Sequence, residues 1–449
     1  MTDFQVSPQQ TCSLIAQTPA QKRALSYALT IHRLFTQIMD SKQPADRVLA
    51  NYFKENKKHG SKDRRVIRET LFAMFRWWGW LRKSVPEQSG TDVDTSWLSA
   101  MLNSALLEKQ DWPVVLQAWA ELAEVTSDQI ANVNDIDTPL AVIKNLNPEL
   151  EFELTELLPD SFWEKRSLDQ QQSIALVESM TSRPPIWARS QYAERDNVIE
   201  SLNEQDIDAI GSVHFSDAIN LGHKSLNLSQ LKLYQQGKLE IQDLASQVIG
   251  HICAPKPDEL WWDACSGAGG KALQLTSMMY SQDTEGKGEV VASDIRKLAL
   301  DELYKRMQRA QVNRIQIKHW ASEHIPVPIE HYDGVLVDAP CSCTGTWRRN
   351  PDMRWTDDLS TLDEISDLQL DILTQSSAAV KQGGRLIYAT CSLIKAENED
   401  VVSRFLASNP EFTLESIVNP FTKEQDSMIT IWPFEANSDG MFVAKLVKV

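Results

Sequence analysis

The chain has 449 residues, 42% hydrophobic and 24% charged, which gives room for two or three domains of ordinary globular composition. A net charge of −17 excludes a generally sticky nucleic-acid coat, so any nucleic-acid contact must be local. No apolar run approaches the roughly 18 residues of a membrane span, and the start MTDFQVSPQQ lacks the pattern of a secretory signal. The expectation is a cytoplasmic protein without membrane contact, acting as a single copy.

From Pro19 to about Lys83 apolar residues recur three and four apart, through ALSYALTIHRLFTQIM and again through RVIRETLFAMFRWWGW, which predicts helices. KKHGSKDRR between them carries a Gly–Ser helix start. Residues 54–83 hold ten Lys or Arg, whereas residues 84–180 hold four among 18 Asp or Glu. The basic residues are a candidate RNA face, and Trp77, Trp78 and Trp80 among them read as core. Residues 96–180 continue as helices rich in Leu, Trp and Glu. Residues 1–170 are thus expected to form an all-helical domain.

RPPIW at 183–187 ends the helical run, and residues 181–250 have the size of a small α+β unit. GKLEIQDLASQVIG reads as a strand entering a helix, with Gln242 and Asp243 at the turn. Over 251–449 short apolar strands alternate with helical stretches: LWWDAC, GEVVASD, RIQIKHW, YDGVLVDAP and GGRLIYATCS. That alternation predicts a parallel sheet covered by helices, with ligands at the C-terminal strand ends.

The first of these strands ends in Asp263-Ala264-Cys265-Ser266-Gly267-Ala268-Gly269-Gly270-Lys271. Three glycines at a strand-to-helix turn let a backbone approach a ligand closely, and the following helix adds its N-terminal dipole. A phosphate loop is excluded, because Ala272 follows Lys271. The second strand ends in Ser293-Asp294, an acid placed to suit a ribose diol or to cap the next helix.

Cysteine is scarce: Cys12, Cys253, Cys265, Cys341, Cys343 and Cys391. They form no paired CxxC motif, so no metal is expected, and burial is the default account of each. The fourth strand stops at Asp338-Ala339-Pro340-Cys341 and the fifth at Thr390-Cys391-Ser392. Parallel strands open on one edge, so two thiols and a carboxylate would face the glycine turn. A thiol exposed at a strand end is a nucleophile candidate.

DACSGAGGKALQL, VDAPCSCTGTWRRNPDMRW and YATCSLIKAENEDVV resemble three signature motifs of the RsmB/NSUN family of S-adenosylmethionine-dependent RNA cytosine-5 methyltransferases. QDLASQ resembles the lead into that family's catalytic domain, and MITIWPFEANSDGMFVAKL its terminal β-hairpin. The close resemblance covers about 180–449; ADRVLANYFKENKKHGSKDRR is loosely similar to the NusB-like helical domain of some members. The resemblance implies a multidomain protein. Its C-terminal domain, 251–449, would be an α/β Rossmann-like class I methyltransferase with a mostly parallel sheet and a terminal antiparallel hairpin. A small RRM-like unit would fill 181–250, and the N-terminal helical domain, 1–170, would be NusB-like.

The resemblance also implies roles. The cofactor would be S-adenosylmethionine, held by Cys265, Ser266, Gly267, Ala268, Gly269, Gly270, Lys271, Asp294 and Asp338. Cys391 would add to carbon 6 of the cytosine, Cys341 would assist release of the adduct, Asp338 would hold the base at ring nitrogen 3, and Lys271 would order the pocket. Arg348 and Arg349 would grip RNA phosphate, with Trp347 and Trp355 either stacking on bases or packing in the core. The partner would be RNA, ribosomal first and transfer RNA as the near rival. An RNA-binding assembly factor without turnover and a DNA cytosine methyltransferase are the competing classes. Three positions depart from the family pattern: Ala268 where Pro is usual, Ala321 where an Asp is usual with Glu323 two residues on, and Cys343, which reads as a spare buried thiol.

Overall fold

The computed structural model describes residues 14–85, 93–126, 130, 133, 136–224 and 226–449; Cys12 and part of the acidic stretch lie outside them. The chain divides into two compact units. The first contains residues 1–164, 168–181 and 350–358; the second contains 165–167, 182–349 and 359–449.

The first unit is helical. Its N-terminal helix Pro19–Ser41 starts on a capping box, with Thr18 Oγ1 accepting from the Gln21 amide. Helix Ser61–Leu81 starts at Gly60, whose amide donates to Asp63 Oδ2 at 2.9 Å. Trp77 and Trp80 are core, as their spacing suggested. Arg76 in the same basic stretch is buried and paired with Glu108, while Lys54, Lys57, Lys58, Lys62, Arg65, Arg68, Arg82 and Lys83 remain exposed. Residues 350–358 join this unit despite their distance in sequence. Asp352 Oδ2 accepts from the Ala45 amide at 2.9 Å, and Trp355 Nε1 donates to the Phe75 carbonyl at 2.7 Å.

In the second unit, β1 (Trp187–Ser190), β2 (Ile210–Gly211), β3 (Ala218–Asn220) and β4 (Leu239–Ile241) form an antiparallel sheet in the order β2-β3-β1-β4. Helix Arg195–Asn203 joins β1 to β2, and the single turn Lys232–Gln235 precedes β4. All four residues of β1 are buried.

Helix Leu244–Cys253 leads into β5 (Leu260–Asp263), β6 (Glu289–Asp294), β7 (Ile315–His319), β8 (Tyr332–Asp338) and β9 (Val380–Thr390). After them come β10 (Phe412–Leu414), β11 (Ile417–Val418), β12 (Gln425–Asp426), β13 (Met428–Ile431) and β14 (Met441–Lys448). The main sheet runs β10-β14-β9-β8-β5-β6-β7, with β13 also paired to β14. Strands β5 to β9 are parallel, and β14 closes the edge antiparallel to β9. The five parallel strands fall where the apolar runs predicted them, and the β13–β14 pair lies where the resemblance implied a terminal hairpin.

Both faces of this sheet are covered, which is why Val335-Leu336-Val337 can be a continuous apolar run. One face packs on Leu244, Leu273 and Leu303, the other on Leu373, Val401 and Phe405. Each such side chain taken from water contributes about 1.5–3 kcal/mol. The strand order, not the strand direction, reverses between β5 and β8, so the ends of those two strands border the crevice where an open α/β sheet binds ligands.

Candidate active site

The turn after β5 is built by backbone. Gly267 (φ 54°) and Gly269 (φ 80°) both occupy the left-handed region. At Gly269 a Cβ would also lie 2.1 Å from Leu303 Cδ1, so glycine is required twice over. The Ser266 amide donates to the Ser293 carbonyl and the Gly269 amide to the Ser266 carbonyl, each at 2.8 Å. Arg306 Nη1 donates to the Ala268 carbonyl at 2.7 Å, and helix Gly270–Gln282 then begins. The two glycines, with Arg306 on the Ala268 carbonyl, hold the turn with Ala268 where the family resembled has proline.

Asp294 closes this turn from the end of β6. Its Oδ2 accepts from the Gly267 amide at 2.8 Å, and both oxygens accept from the Arg296 side chain at 3.0 Å. Burial raises the Asp294 carboxyl, but the bonds from Arg296 and Gly267 outweigh it and hold the group below the usual range. Two polar side chains at the turn lack a side-chain partner among the described residues: Ser266 Oγ and both oxygens of Asp263. Burial, then repulsion from Asp338, pushes Asp263 up to about 8, with Lys271 opposing. Cys265 sits beside them, its thiol raised by burial first and by these carboxylates second. After β7, Ala321 is exposed, and Glu323 is exposed beyond it.

Lys271 lies in the first turn of the following helix and reaches across to β8. Its Nζ donates to Asp338 Oδ2 at 2.7 Å. Desolvation acts against the ammonium, yet Asp338 keeps it charged. Burial raises the Asp338 carboxyl, with Lys271 as the main opposing influence, so this acid lies closer to accepting a proton than an exposed one.

The two predicted thiols meet. Asp338 pairs in register with Ala389, and the Ala339 amide donates to the Ala389 carbonyl at 2.9 Å. Each strand then turns within three residues, which leaves Cys341 Sγ and Cys391 Sγ 3.3 Å apart. Cys343 joins them: the three sulfurs all lie within 4.8 Å of one another. Hydrogen bonding within the trio, from Cys341 first and then Cys391, lowers Cys343 to about 4. Cys341 is raised well above the ordinary thiol range by the same contacts, Cys343 first. Cys391 is lowered by Cys341 but raised more by Cys343 and burial, to about 12.

A residue without an expected role fastens the two thiol loops together. Glu397, fully buried, accepts from the Ser342 amide at 2.7 Å and from Ser342 Oγ at 2.5 Å. It also accepts from Ser392 Oγ and, at 3.2 Å, from Gln369 Nε2. Thr344 Oγ1 accepts from the Leu393 amide at 2.8 Å, and the Gly345 amide donates to the Cys391 carbonyl at 2.9 Å. A Cβ at Gly345 would stand 2.2 Å from the Gly440 carbonyl oxygen. The ENE sequence was the only signal that could have pointed to Glu397.

The paired arginines separate. Arg348 is buried, and its guanidinium is committed to protein: Nη2 donates to Asn437 Oδ1 at 2.6 Å and to Ser182 Oγ at 2.8 Å, and Nε to the Ser182 carbonyl at 3.3 Å. The expected phosphate grip is therefore corrected for Arg348; adjacent sequence did not reveal that these acceptors converge on it. Arg349 is about half exposed and donates to Asp439 Oδ2 at 2.6 Å. Asp243 Oδ2 accepts from the Asp439 amide at 3.1 Å, so the turn before the first helix of this sheet backs the same pair. Trp347 is fully buried, and the Trp355 ring lies under Arg82, so both aromatics pack within the protein.

Comparison with known proteins adds the following. Residues 251–447 match the model of a family described as 16S rRNA methyltransferase RsmB/F. Ribosomal RNA small subunit methyltransferase B of Shewanella oneidensis is 33% identical over 283 residues, which cover 61% of this chain and 62% of the relative. The chain thus spans less than two thirds of the length of that curated relative. Among solved structures, the protein PH0851 superposes over 97% of this chain and all of its own at a TM-score of 0.72 and 24% identity. NSun6 from Pyrococcus horikoshii, solved with SFG, covers 64% of this chain and 97% of its own at a TM-score of 0.57 and 17% identity. These two likenesses concern the fold.

Proposed function

We propose that the chain, whose residues 251–447 match the family described as 16S rRNA methyltransferase RsmB/F, is an S-adenosylmethionine-dependent RNA methyltransferase that methylates carbon 5 of a cytosine in 16S ribosomal RNA through a covalent cysteine adduct. The observation that carries the proposal is the 3.3 Å separation of Cys341 Sγ and Cys391 Sγ, on the same sheet edge as the Lys271–Asp338 pair. None of the described helices is long and apolar enough to cross a membrane.

The glycine turn fits the cofactor. Ser266 Oγ lacks a partner where a polar ligand would complete it, and Gly267 and Gly269 leave the backbone bare. Cys265, Ser266, Gly267, Ala268, Gly269 and Gly270 would line the methionine end, and Asp294 the ribose. Asp294 already accepts from Arg296, so the exposed Arg296 side chain would yield to the ribose hydroxyls. When bound, S-adenosylmethionine supplies an electrophilic methyl group on a sulfonium sulfur.

Carbon 5 of cytosine is a weak nucleophile until something adds at carbon 6. Cys391 Sγ, as thiolate, forms a bond to carbon 6, and the ring double-bond electrons move toward carbon 5. Asp338, raised by burial, holds a proton at ring nitrogen 3 and offsets the charge that develops there. Lys271 holds Asp338 in place. Carbon 5 would then bond to the methyl carbon as the methyl–sulfonium bond breaks, its electron pair remaining on the cofactor sulfur. Loss of the carbon 5 proton re-forms the ring double bond and expels Cys391, with Cys341 assisting. Ring nitrogen 3 is occupied in a Watson–Crick pair, so the target base must be unpaired or flipped outward. Arg349 takes the phosphate role alone. The small sheet 187–241 has the strand order of an RRM-like unit, yet β1 is wholly buried, so it would orient the RNA by shape rather than by a stacking platform.

The test is methyl transfer from labelled cofactor to small-subunit RNA by the full chain. Cys391→Ala should abolish transfer, by at least about 10⁴-fold. Cys341→Ala should accumulate a protein–RNA adduct that survives denaturant. Absence of transfer by the wild type would favour the assembly factor. An adduct kept in Cys391→Ala and lost in Cys341→Ala would favour the DNA-type arrangement.

A further inference from the structure

We propose that Cys341, Cys343 and Cys391 form a three-thiolate site for a soft divalent cation of the zinc class, whose occupation removes the nucleophile from use. The three Sγ atoms lie within 4.8 Å of one another, and the Cys341–Cys391 pair stands at 3.3 Å. Zinc bound tetrahedrally by thiolates at about 2.3 Å has sulfurs about 3.8 Å apart, so the cluster needs adjustments of well under an ångström per sulfur to close on an ion. Oxygen-seeking cations are disfavoured by the donor set, because thiolates select zinc, cadmium or cobalt over magnesium or calcium.

The site is built, not a chance of flexible side chains. Cys343 holds a left-handed backbone conformation, φ 58°, and its Sγ is anchored 3.4 Å from the Cys341 carbonyl. Cys341 and Cys391 are fixed by the Glu397 clamp on Ser342 and Ser392. Three protein donors leave a fourth position, which water fills, the arrangement of an open rather than a closed zinc site. The reaction balances simply. Three thiols release three protons to solvent, three metal–sulfur bonds form, and a complex of charge −1 results from one dication and three thiolates. The charges of Lys271 and Arg349 both act on Cys391 and suit that negative charge. No CxxC pairing announces this site, because Cys391 lies 50 residues from Cys341 and only the β8–β9 register unites them.

The test uses cobalt(II) chloride as probe with the full chain, without RNA or cofactor, under argon with a phosphine reductant. The expected result is one cobalt per chain with an intense near-ultraviolet sulfur-to-cobalt band, bleached by zinc. Cys343→Ser and Cys343→Ala should each weaken cobalt binding at least about tenfold, while their circular dichroism matches wild type. A second measurement needs no variant: zinc should protect Cys341, Cys343 and Cys391 from iodoacetamide, read by peptide mass, and leave the labelling of Cys265 unchanged. Absence of the sulfur band, or an undiminished band in both Cys343 variants, would overturn the proposal, as would equal alkylation with and without zinc. The inhibitory consequence alone rests on the proposed methyl transfer: zinc should stop transfer, a chelator restore it, and Cys343→Ser resist it. Should metal-free wild type transfer no methyl group, that reading fails while the cobalt band still decides the site.

Discussion

The two halves of the candidate site are held by different means. The turn after β5 rests on backbone amides and two glycines with positive φ. The loops after β8 and β9 rest on a buried carboxylate, Glu397, that collects donors from both. A backbone-built turn tolerates most side chains and fails at glycine. A side-chain clamp tolerates changes in the loops it holds but not loss of its centre, because each buried donor left unpaired costs about 1–3 kcal/mol.

The largest effect that would break this contrast comes from Glu397. Glu397→Ala is expected to lower the transfer rate about a hundredfold, since misplacing a reacting group by about 1 Å costs that much. KM for the cofactor should stay within about twofold, because the glycine turn is not touched. Glu397→Gln keeps the size of the side chain but only one acceptor oxygen, so it should restore part of the rate, whereas a purely steric role would be restored in full. Equal losses in both variants would remove the clamp from the account.

Next comes the turn itself. Gly269→Ala forces a Cβ into the left-handed region, at about 1–2 kcal/mol, and onto Leu303. Cofactor affinity measured by calorimetry should fall about tenfold or more, with the rate at saturating cofactor largely kept. A fall in rate without a change in affinity would mean that the two halves are not independent.

The arginines sharpen the comparison further. Arg348→Gln strands acceptors at Ser182 and Asn437 and should cost about 1–3 kcal/mol, read as a lower melting temperature. Arg349→Gln should also cost some stability, because it leaves the buried Asp439 without its cation, and should reduce the salt slope of RNA binding by about one, which Arg348→Gln should not. Interchanged outcomes would return the phosphate role to Arg348.

A separate test of the glycine-turn half is the pH dependence contributed by Asp263. Its carboxyl titrates at about 8 in the folded protein and near 4 when unfolded. Between those values the unfolded chain has lost a proton that the folded chain keeps, so stability declines as pH rises through that window. Asp263→Asn should flatten the melting-temperature profile between pH 5 and 8; an unchanged slope would exclude a neutral Asp263 in the fold.

Much of this site was legible in the chain. Short apolar strands alternating with helical stretches imply a parallel sheet whose strand ends open on one edge; the placement of Asp338, Cys341 and Cys391 there followed from that argument, as did the glycine turn. The tryptophans of the basic stretch also read correctly, because Trp77 and Trp80 lie on the inner side of their helix. Arg348 did not. Nothing adjacent to it tells that Asn437 and Ser182, about 90 and 166 residues away, converge on its guanidinium.

Local sequence therefore determined the period-governed features: the helical N-terminal part, the alternating β/α part and the places where strands stop. Those depend on short-range sterics and on which side of an element is apolar. Tertiary structure alone decided which stopped ends meet and what they enclose: a clamp at Glu397, a third sulfur at Cys343, one buried arginine and one half-exposed. Such pairings join residues far apart in the chain, and strand register, set by the packing of the whole sheet, brings them together.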